Sequence, residues 1–387
     1  MHHCVVNAVD NKQLKKVLMK CKEGASLITS CQYSKATNVF TKQKPMMESN
    51  SSVAWVVANG LGLALHLSGS LHAADHELKN ALRNCESLSS QGYTHDAYTD
   101  LAGCLNDLAV NESVMQLEEP SSQPVKRMKR ARYMAERAYR PNQLVLHGLD
   151  SNLTLLQAKS SLQEAKLLAE KNVKATSFFS PKKDNRDNNE LRFLHAKNLA
   201  MLADLRHKTG SIEEGLETAE RAREMLEVEE PSDVLEAART LNVLGNLFWT
   251  AACVKRKVGR GTGAEQQEVN AGRVYERCLA MMGDAGFRKS HPDYLAVWTN
   301  SLVVRRWTRG FQEIEKERLS CLRSVRLRGK SFTEKDQWTC NIHDSLLKIG
   351  KEASRKQDES FQALISIPPF RVGFGLFDVV NSLEGKK

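Results

Sequence analysis

The chain lacks the signatures that mark most catalytic sites. Its 387 residues contain no G-x-x-x-x-G-K-[ST] phosphate loop, no G-x-S-x-G elbow, no H-E-x-x-H zinc helix and no C-x-x-C pair. Proline is scarce at 9 residues and aromatics reach only 6%, too few for an all-β protein of this length. Uninterrupted apolar runs are short as well. The longest candidate, Val53 to Leu71, is broken by Asn59, His66, Ser68 and Ser70, so no transmembrane segment is expected. Cysteines stand singly and in odd number (Cys4, Cys21, Cys31, Cys85, Cys104, Cys253, Cys278, Cys321, Cys340). That pattern suits reduced thiols in an intracellular, reducing compartment, with the cytoplasm ahead of an organelle matrix or the nucleus. No structural zinc, cofactor or catalytic residue is expected.

What is present favours helices. The chain is 41% apolar, enough for a packed core, and Ala, Leu, Glu, Lys and Arg dominate the remainder of the pattern. A formal net charge of +10, from 56 basic and 46 acidic residues, favours acidic partners: nucleic acid, an anionic surface or an acidic protein segment. Residues 1–50 form a basic segment with Lys12, Lys15, Lys16, Lys20 and Lys22. A transit peptide would want more Arg and Ser, so an amphipathic helix through Leu14, Val17, Leu18 and Cys21 is the better reading.

The pattern repeats. Leu61-Gly62, Leu108-Ala109, Leu202-Ala203, Leu244-Gly245 and Leu302-Val303 align, and Gly69, Gly210 and Gly310 follow three of these leucines at one distance. Small or apolar residues then recur at helical spacing, as in Ala74, Leu78 and Ala81, or Gly215, Ala219 and Ala222. Each unit reads as a helix, a tight glycine turn and an antiparallel helix that approaches through small side chains. Two units carry polar insertions, at about 113–125 and 253–265. The second helices resume at Ala131, Ala135 and Ala138, and at Ala271, Tyr275 and Cys278. A single hairpin cannot cover its own apolar face, so the units must stack.

"HPDYLAVWTNSLVV" (291–304), "EPSDVLEAARTLNVLGNLF" (230–248) and "GYTHDAYTDLAGCLNDLAV" (92–110) share an opening and an Asn-x-Leu-small core. In this they resemble the tetratricopeptide repeat, closest to its longer, kinesin-light-chain-like variety. The resemblance covers about Val53 to Val325. It implies an all-α, superhelical α-solenoid of TPR-like helix-turn-helix repeats with a C-terminal capping helix. The expected organisation is N-terminal repeats over 51–172, a polar linker over 173–190, C-terminal repeats over 191–330, a capping helix over 331–357 and an apolar arm over 358–387. Thr333 caps the capping helix, with Trp338, Ile342, Leu346 and Ile349 on one face. The segment 153–172 reads as one helix of a degenerate unit. Glu315 departs from the pattern, standing where a small crossing residue belongs, which predicts a splayed last pair.

The resemblance also implies a non-catalytic scaffold or adaptor, a subunit or assembly factor of a larger complex, that binds a peptide segment in the concave groove. Asn59, Asn106, Asn242 and Asn300 occupy one equivalent slot facing that groove. An amide there offers donors and an acceptor to an extended backbone; the alternative is that it pairs with the neighbouring repeat. Lys197, Arg239, Asn246 and Arg306 project to the same side by register, which favours an acidic peptide segment or a carboxylate. The basic run at Lys126, Arg127, Lys129 and Arg130 suits phosphates or an acidic protein, or else is a solvated helix face. It supports a second reading, an RNA-associated helical-repeat protein of a ribonucleoprotein, although no recurring base-reading pair is visible. His72 and His76, four apart, lack a third ligand and read as a surface pair. The tail "ALISIPPFRVGFGLFDVV" (363–380) is an apolar arm that docks on the chain's own stack or on a partner, the first being favoured because a bare apolar arm invites aggregation.

Overall fold

The computed structural model describes residues 12–30, 32–47, 51–90, 95–115, 122–138, 143–177, 186–228, 234–259, 261–309, 311–331, 342–347, 349 and 364–365. Among these the fold is all-α, built of helical hairpins, and no strand occurs. They fall into two compact units, one within Met1–Ser161 and one within Leu162–Pro369.

The first unit contains α1 (Lys12–Thr29), α2 (Tyr33–Gln43), a 3₁₀ turn (Lys44–Met47), α3 (Ser51–Ser68), α4 (Leu71–Ser90), α5 (His95–Met115), α6 (Gln123–Arg137) and α7 (Gln143–Gln157). The second contains α8 (Leu162–Thr176), α9 (Arg186–Lys208), α10 (Ile212–Val228), α11 (Val234–Lys257), α12 (Gly261–Asp284), α13 (Pro292–Arg309) and α14 (Phe311–Ser331). The principal hairpins are α3–α4, α5–α6, α9–α10, α11–α12 and α13–α14.

The turns show why the sequence folds this way. Gly69 and Gly210 both adopt φ of 91°, a left-handed conformation that costs glycine nothing. At the first turn the Gly69 amide donates to the His66 carbonyl and the Ser70 amide to Leu65, and the Ser211 amide repeats the latter bond onto Arg206. These bonds satisfy the last carbonyls of the incoming helix. The same serines then accept from Ala74 and Gly215, so the next helix starts at once. Gly310 lies outside the described residues.

Small residues set the separation within each pair. A Cβ on Gly62 would lie 2.7 Å from the Leu78 side chain, and one on Gly245 would lie 2.5 Å from the Tyr275 ring. Ala131, Ala271, Tyr275 and Cys278 are buried at the corresponding crossings, as the repeat pattern required. In the N-terminal segment Val17, Leu18 and Cys21 are likewise buried on one face of α1. Among the described residues no helix is long and apolar enough to cross a membrane, and no cluster of three metal-ligating side chains occurs.

Three stretches differ from the expectation. The insertion placed at 253–265 is mostly helix: α11 runs on to Lys257, with Lys255, Arg256 and Lys257 beside its negative end, and α12 begins at Gly261. Arg256 clasps Glu268 across the hairpin at 2.5 and 2.8 Å, which draws the basic turn onto α12. Helix also covers both ends of the insertion placed at 113–125, since α5 reaches Met115 and α6 starts at Gln123. The single helix expected over 153–172 is two, broken where the amides of Ser160 and Ser161 fold back onto the Gln157 carbonyl.

The last pair is packed rather than splayed. Glu315 turns aside to bind Arg318 at 2.6 and 2.7 Å, while Ile314 and Cys321 fill the interior. Arg305 on α13 grips Glu317 on α14 with two bonds. Beyond α14, Ile342, Leu346 and Ile349 are fully buried, and Arg318 donates to the Leu346 carbonyl at 3.1 Å. Thr333 and Trp338 of the expected capping helix lie outside the described residues, as do residues 178–185 of the polar linker expected over 173–190, whose two ends belong instead to α8 and α9.

Two glycine substitutions separate packing from helix propensity. Gly272, inside α12, has open space around its Cβ direction. Gly272→Ala is expected to stabilise the protein by about 0.5–1 kcal/mol. Gly245→Ala meets the Tyr275 ring and is expected to cost about 1–2 kcal/mol despite the same propensity gain. Thermal unfolding of the two variants, side by side, checks both signs.

Candidate functional site

The second unit presents three asparagines on its first-helix face: Asn242 and Asn246 one turn apart on α11, and Asn300 on α13. Their amides converge on the backbone of Ile365, from the apolar tail. The Ile365 carbonyl accepts from Asn242 Nδ2 at 3.0 Å, Asn246 Nδ2 at 3.2 Å and Asn300 Nδ2 at 2.9 Å. Its N–H donates to Asn300 Oδ1 at 2.9 Å. One residue of the tail is thus held by both its polar backbone groups. Its side chain is buried, and Leu364 beside it is half-buried.

The amides are oriented by one another. Tyr275 Oη donates to Asn246 Oδ1 at 2.6 Å, so the other end of that amide, its donor end, faces Ile365. Asn300 Nδ2 also lies 2.9 Å from Asn242 Oδ1 and 3.1 Å from Asn246 Oδ1. That nitrogen has two protons for three acceptors, so it divides them among the two neighbouring amides and the ligand carbonyl. Burial raises the Tyr275 phenol well above its usual range and keeps it a donor. The cluster carries no charge and no nucleophile. Chemically it can grip a peptide group, and it has nothing with which to cleave one.

The charged residues assigned to the same groove are placed differently. Lys197 on α9 is fully buried and its ammonium meets the Glu236 carboxylate of α11, itself 2% exposed. Arg239 on α11 pairs with Asp293 on α13 at 3.0 Å, and both are buried. These ion pairs tie neighbouring first helices together, and neither cation faces open solvent. Arg306 is half-buried on α13. An acidic ligand therefore finds fewer open cations here than the register suggested.

In the first unit the equivalent amides bind their neighbours. Asn59 Nδ2 donates to Asp107 Oδ2 at 3.0 Å, Asn106 Nδ2 to Asp107 Oδ1 at 3.0 Å, and Asn152 Nδ2 to Asn106 Oδ1 at 2.8 Å. A buried ladder thus links α3, α5 and α7, leaving Asn59 Oδ1 without a partner. The basic run on α6 divides by face. Arg127 is tied to Glu112 at 2.8 Å and Arg130 to Glu86 at 2.8 Å, whereas Lys126 and Lys129 are exposed. His72 is exposed, and His76 lies against Glu77 and Asn80.

Sequence reasoning missed Asn152, Asp107, Tyr275 and Ile365 as parts of these networks. Asn152 could have been found, since it stands 46 residues after Asn106, nearly the interval back to Asn59. Tyr275 was seen only as a crossing residue. Ile365 carries no local signal, because its partners lie up to 123 positions away.

No family model matches the chain, and no curated protein matches it by sequence. Among solved structures it is similar to a Rap protein complexed with competence and sporulation factor. The identity is 10%, 88% of this chain and 99% of that chain are covered, and the TM-score is 0.47.

Asn300→Asp places a carboxylate against two amide oxygens and the Ile365 carbonyl. The two Nδ2 protons, worth about 1 kcal/mol of bonding each, are lost and lone-pair repulsion takes their place, so although the carboxylate still accepts the Ile365 N–H, that amide should exchange with solvent about 100-fold faster. Residue-resolved hydrogen exchange measures this, with amides inside α12 as unchanged references.

Proposed function

We propose that the protein is a non-catalytic interaction scaffold, an adaptor or a subunit of a larger complex, whose second unit binds an extended peptide segment of a partner. The observation that carries this reading is the grip of Asn242, Asn246 and Asn300 on both backbone groups of Ile365. A backbone grip of this kind does not depend on the ligand's side chains, so a partner segment in the same backbone conformation makes the same bonds. The partner must displace the chain's own segment, which is tethered and so present at an effective concentration on the order of millimolar.

The preferred ligand, in this reading, is an apolar segment like the tail itself, and not the acidic one that register favoured. Buried pairing of Lys197 and Arg239 supports that change. The kinesin-light-chain-like form of the repeats belongs to this proposal and rests on the quoted sequence segments. Residence in a reducing compartment, foremost the cytoplasm, is supported by Cys21, Cys104, Cys278 and Cys321, buried thiols outside any disulfide. Burial pushes the Cys21 and Cys321 thiols up to about 12, which makes them inert packing groups.

Ile365→Pro removes the N–H that Asn300 accepts and opens the groove without touching its walls. A labelled peptide spanning residues 361–369 should bind this variant at least about 10-fold more tightly than the natural chain. Adding Asn300→Asp to the same chain should abolish the binding. A peptide that binds all three chains equally, or none, would sink the groove reading.

A further inference from the structure

The basic run on α6 holds a second site. A cavity of about 280 Å³ lies between the end of α5, the start of α6 and the end of α7. Lys126, Lys129 and Lys159 line it, with Val125 and Leu156 as apolar wall and Ser122 also at its edge. Among the described residues that line it, none is acidic.

The distribution of partners is selective. On α6, Arg127 is held by Glu112, Arg130 by Glu86, and Arg132 by both Asp150 and Glu136. Those four carboxylates are thereby used, and among the described residues none pairs with a cavity lysine. Lys126 and Lys129, three apart, share the face that the arginines leave. Lys159 comes from the turn after α7 and, among the described residues, reaches a neutral acceptor, the Ser113 carbonyl at 2.5 Å. An ammonium has three donors, so this one retains two. Burial also lowers the Lys159 pKa from its ordinary value, the sign of a cation short of compensation.

Two further features favour negative charge at this spot. The first turn of α6 contains no acidic residue, and the Ser122 side chain makes no capping bond, so no described residue of this turn offsets the positive helix end. The Ser113 hydroxyl, on a residue lining the cavity, is buried without a hydrogen-bond partner.

We infer that this cavity binds a phosphomonoester: a dianionic phosphate between Lys126, Lys129 and Lys159, with a small apolar body against Val125 and Leu156. Three ammonium groups around one opening suit a dianion better than a single carboxylate, and the apolar wall suits an ester with an organic body. The phosphate can come from a small organic molecule or from a phosphorylated side chain of a partner protein. The site is independent of the asparagine groove.

The test titrates the intact chain with phenyl phosphate and with a phosphoserine decapeptide, following affinity by calorimetry at fixed ionic strength. Saturable 1:1 binding of either probe is expected, weakened at least about 10-fold by the double change Lys126→Gln and Lys129→Gln and by Lys159→Gln. Lys126 and Lys129 are exposed, so the double variant folds even if the Lys159 variant does not. Lys174→Gln, an exposed lysine on α8, removes the same charge elsewhere and should leave affinity within about 2-fold. Affinity should also fall as pH drops below about 6, where the phosphate loses its second charge. A tighter small molecule assigns the site to a metabolite-like ligand, and a tighter peptide assigns it to a partner protein. No saturable binding, or equal weakening by Lys174→Gln, overturns the proposal.

Discussion

The close approach of α11 and α12 at Gly245 governs both the packing and the groove of the second unit. Because Gly245 has no side chain, the Tyr275 ring can lie directly against α11. That position brings the phenol to Asn246, fixes which end of the amide points outward, and so aims a donor at Ile365. A larger residue at 245 would push the ring away and leave the amide free to turn over. The small residue thus belongs to the helix crossing, yet its consequence is read at the ligand. The same crossing logic at Gly62 and Leu78 produces a tight hairpin without a comparable polar chain behind it, since a leucine has nothing to hand on.

Buried ion pairs explain why register alone misplaced the cations. In a stack of hairpins, first helices lie side by side, and a residue on the inner flank of one helix faces its neighbour before it faces the groove. Lys197 and Arg239 occupy such flanks, where Glu236 and Asp293 await them. Desolvating each charge is costly, and attraction at short range offsets much of that without a large net gain. What these pairs add is discrimination. A slip of one helix along the next would strand a charge in the interior, a penalty of about 3–5 kcal/mol. They hold the register on which the convergence of Asn242 and Asn300 depends.

The hairpins were legible because glycine and small residues act locally. Gly69 and Gly210, each followed by a serine, encode the turn and the next helix start together, and alanine spacing encodes the crossing. The groove asparagines were legible as a recurring slot. What each amide binds was not, because the answer lies in residues remote in sequence: Asp107 for one unit and Ile365 for the other. The basic run shows the same limit. Its charge was plain, but the pairing of its arginines, with no described partner for its lysines, depends on carboxylates of α4 and α5. Helix ends were misjudged where polar composition suggested loops, since a charged helix terminus and a charged loop look alike without their partners.

The two units give the same slot opposite roles, and one neighbouring position accounts for the difference. Asn106 is followed by Asp107, whose two carboxylate oxygens take the Asn59 and Asn106 donors. Those amides are consumed within the stack, and the ladder serves to join repeats. Asn242 and Asn300 are followed by Val243 and Ser301, neither of which offers a carboxylate. Their donors therefore remain for a backbone carbonyl brought from outside the hairpins, and Asn246 adds a third. A buried amide left without such a partner would cost about 1–3 kcal/mol, so an empty groove in the second unit is unfavourable unless water fills it. Occupation of that groove by the chain's own tail thus follows from the residue beside the asparagine, and the same energetic need is what a partner segment would satisfy in its place.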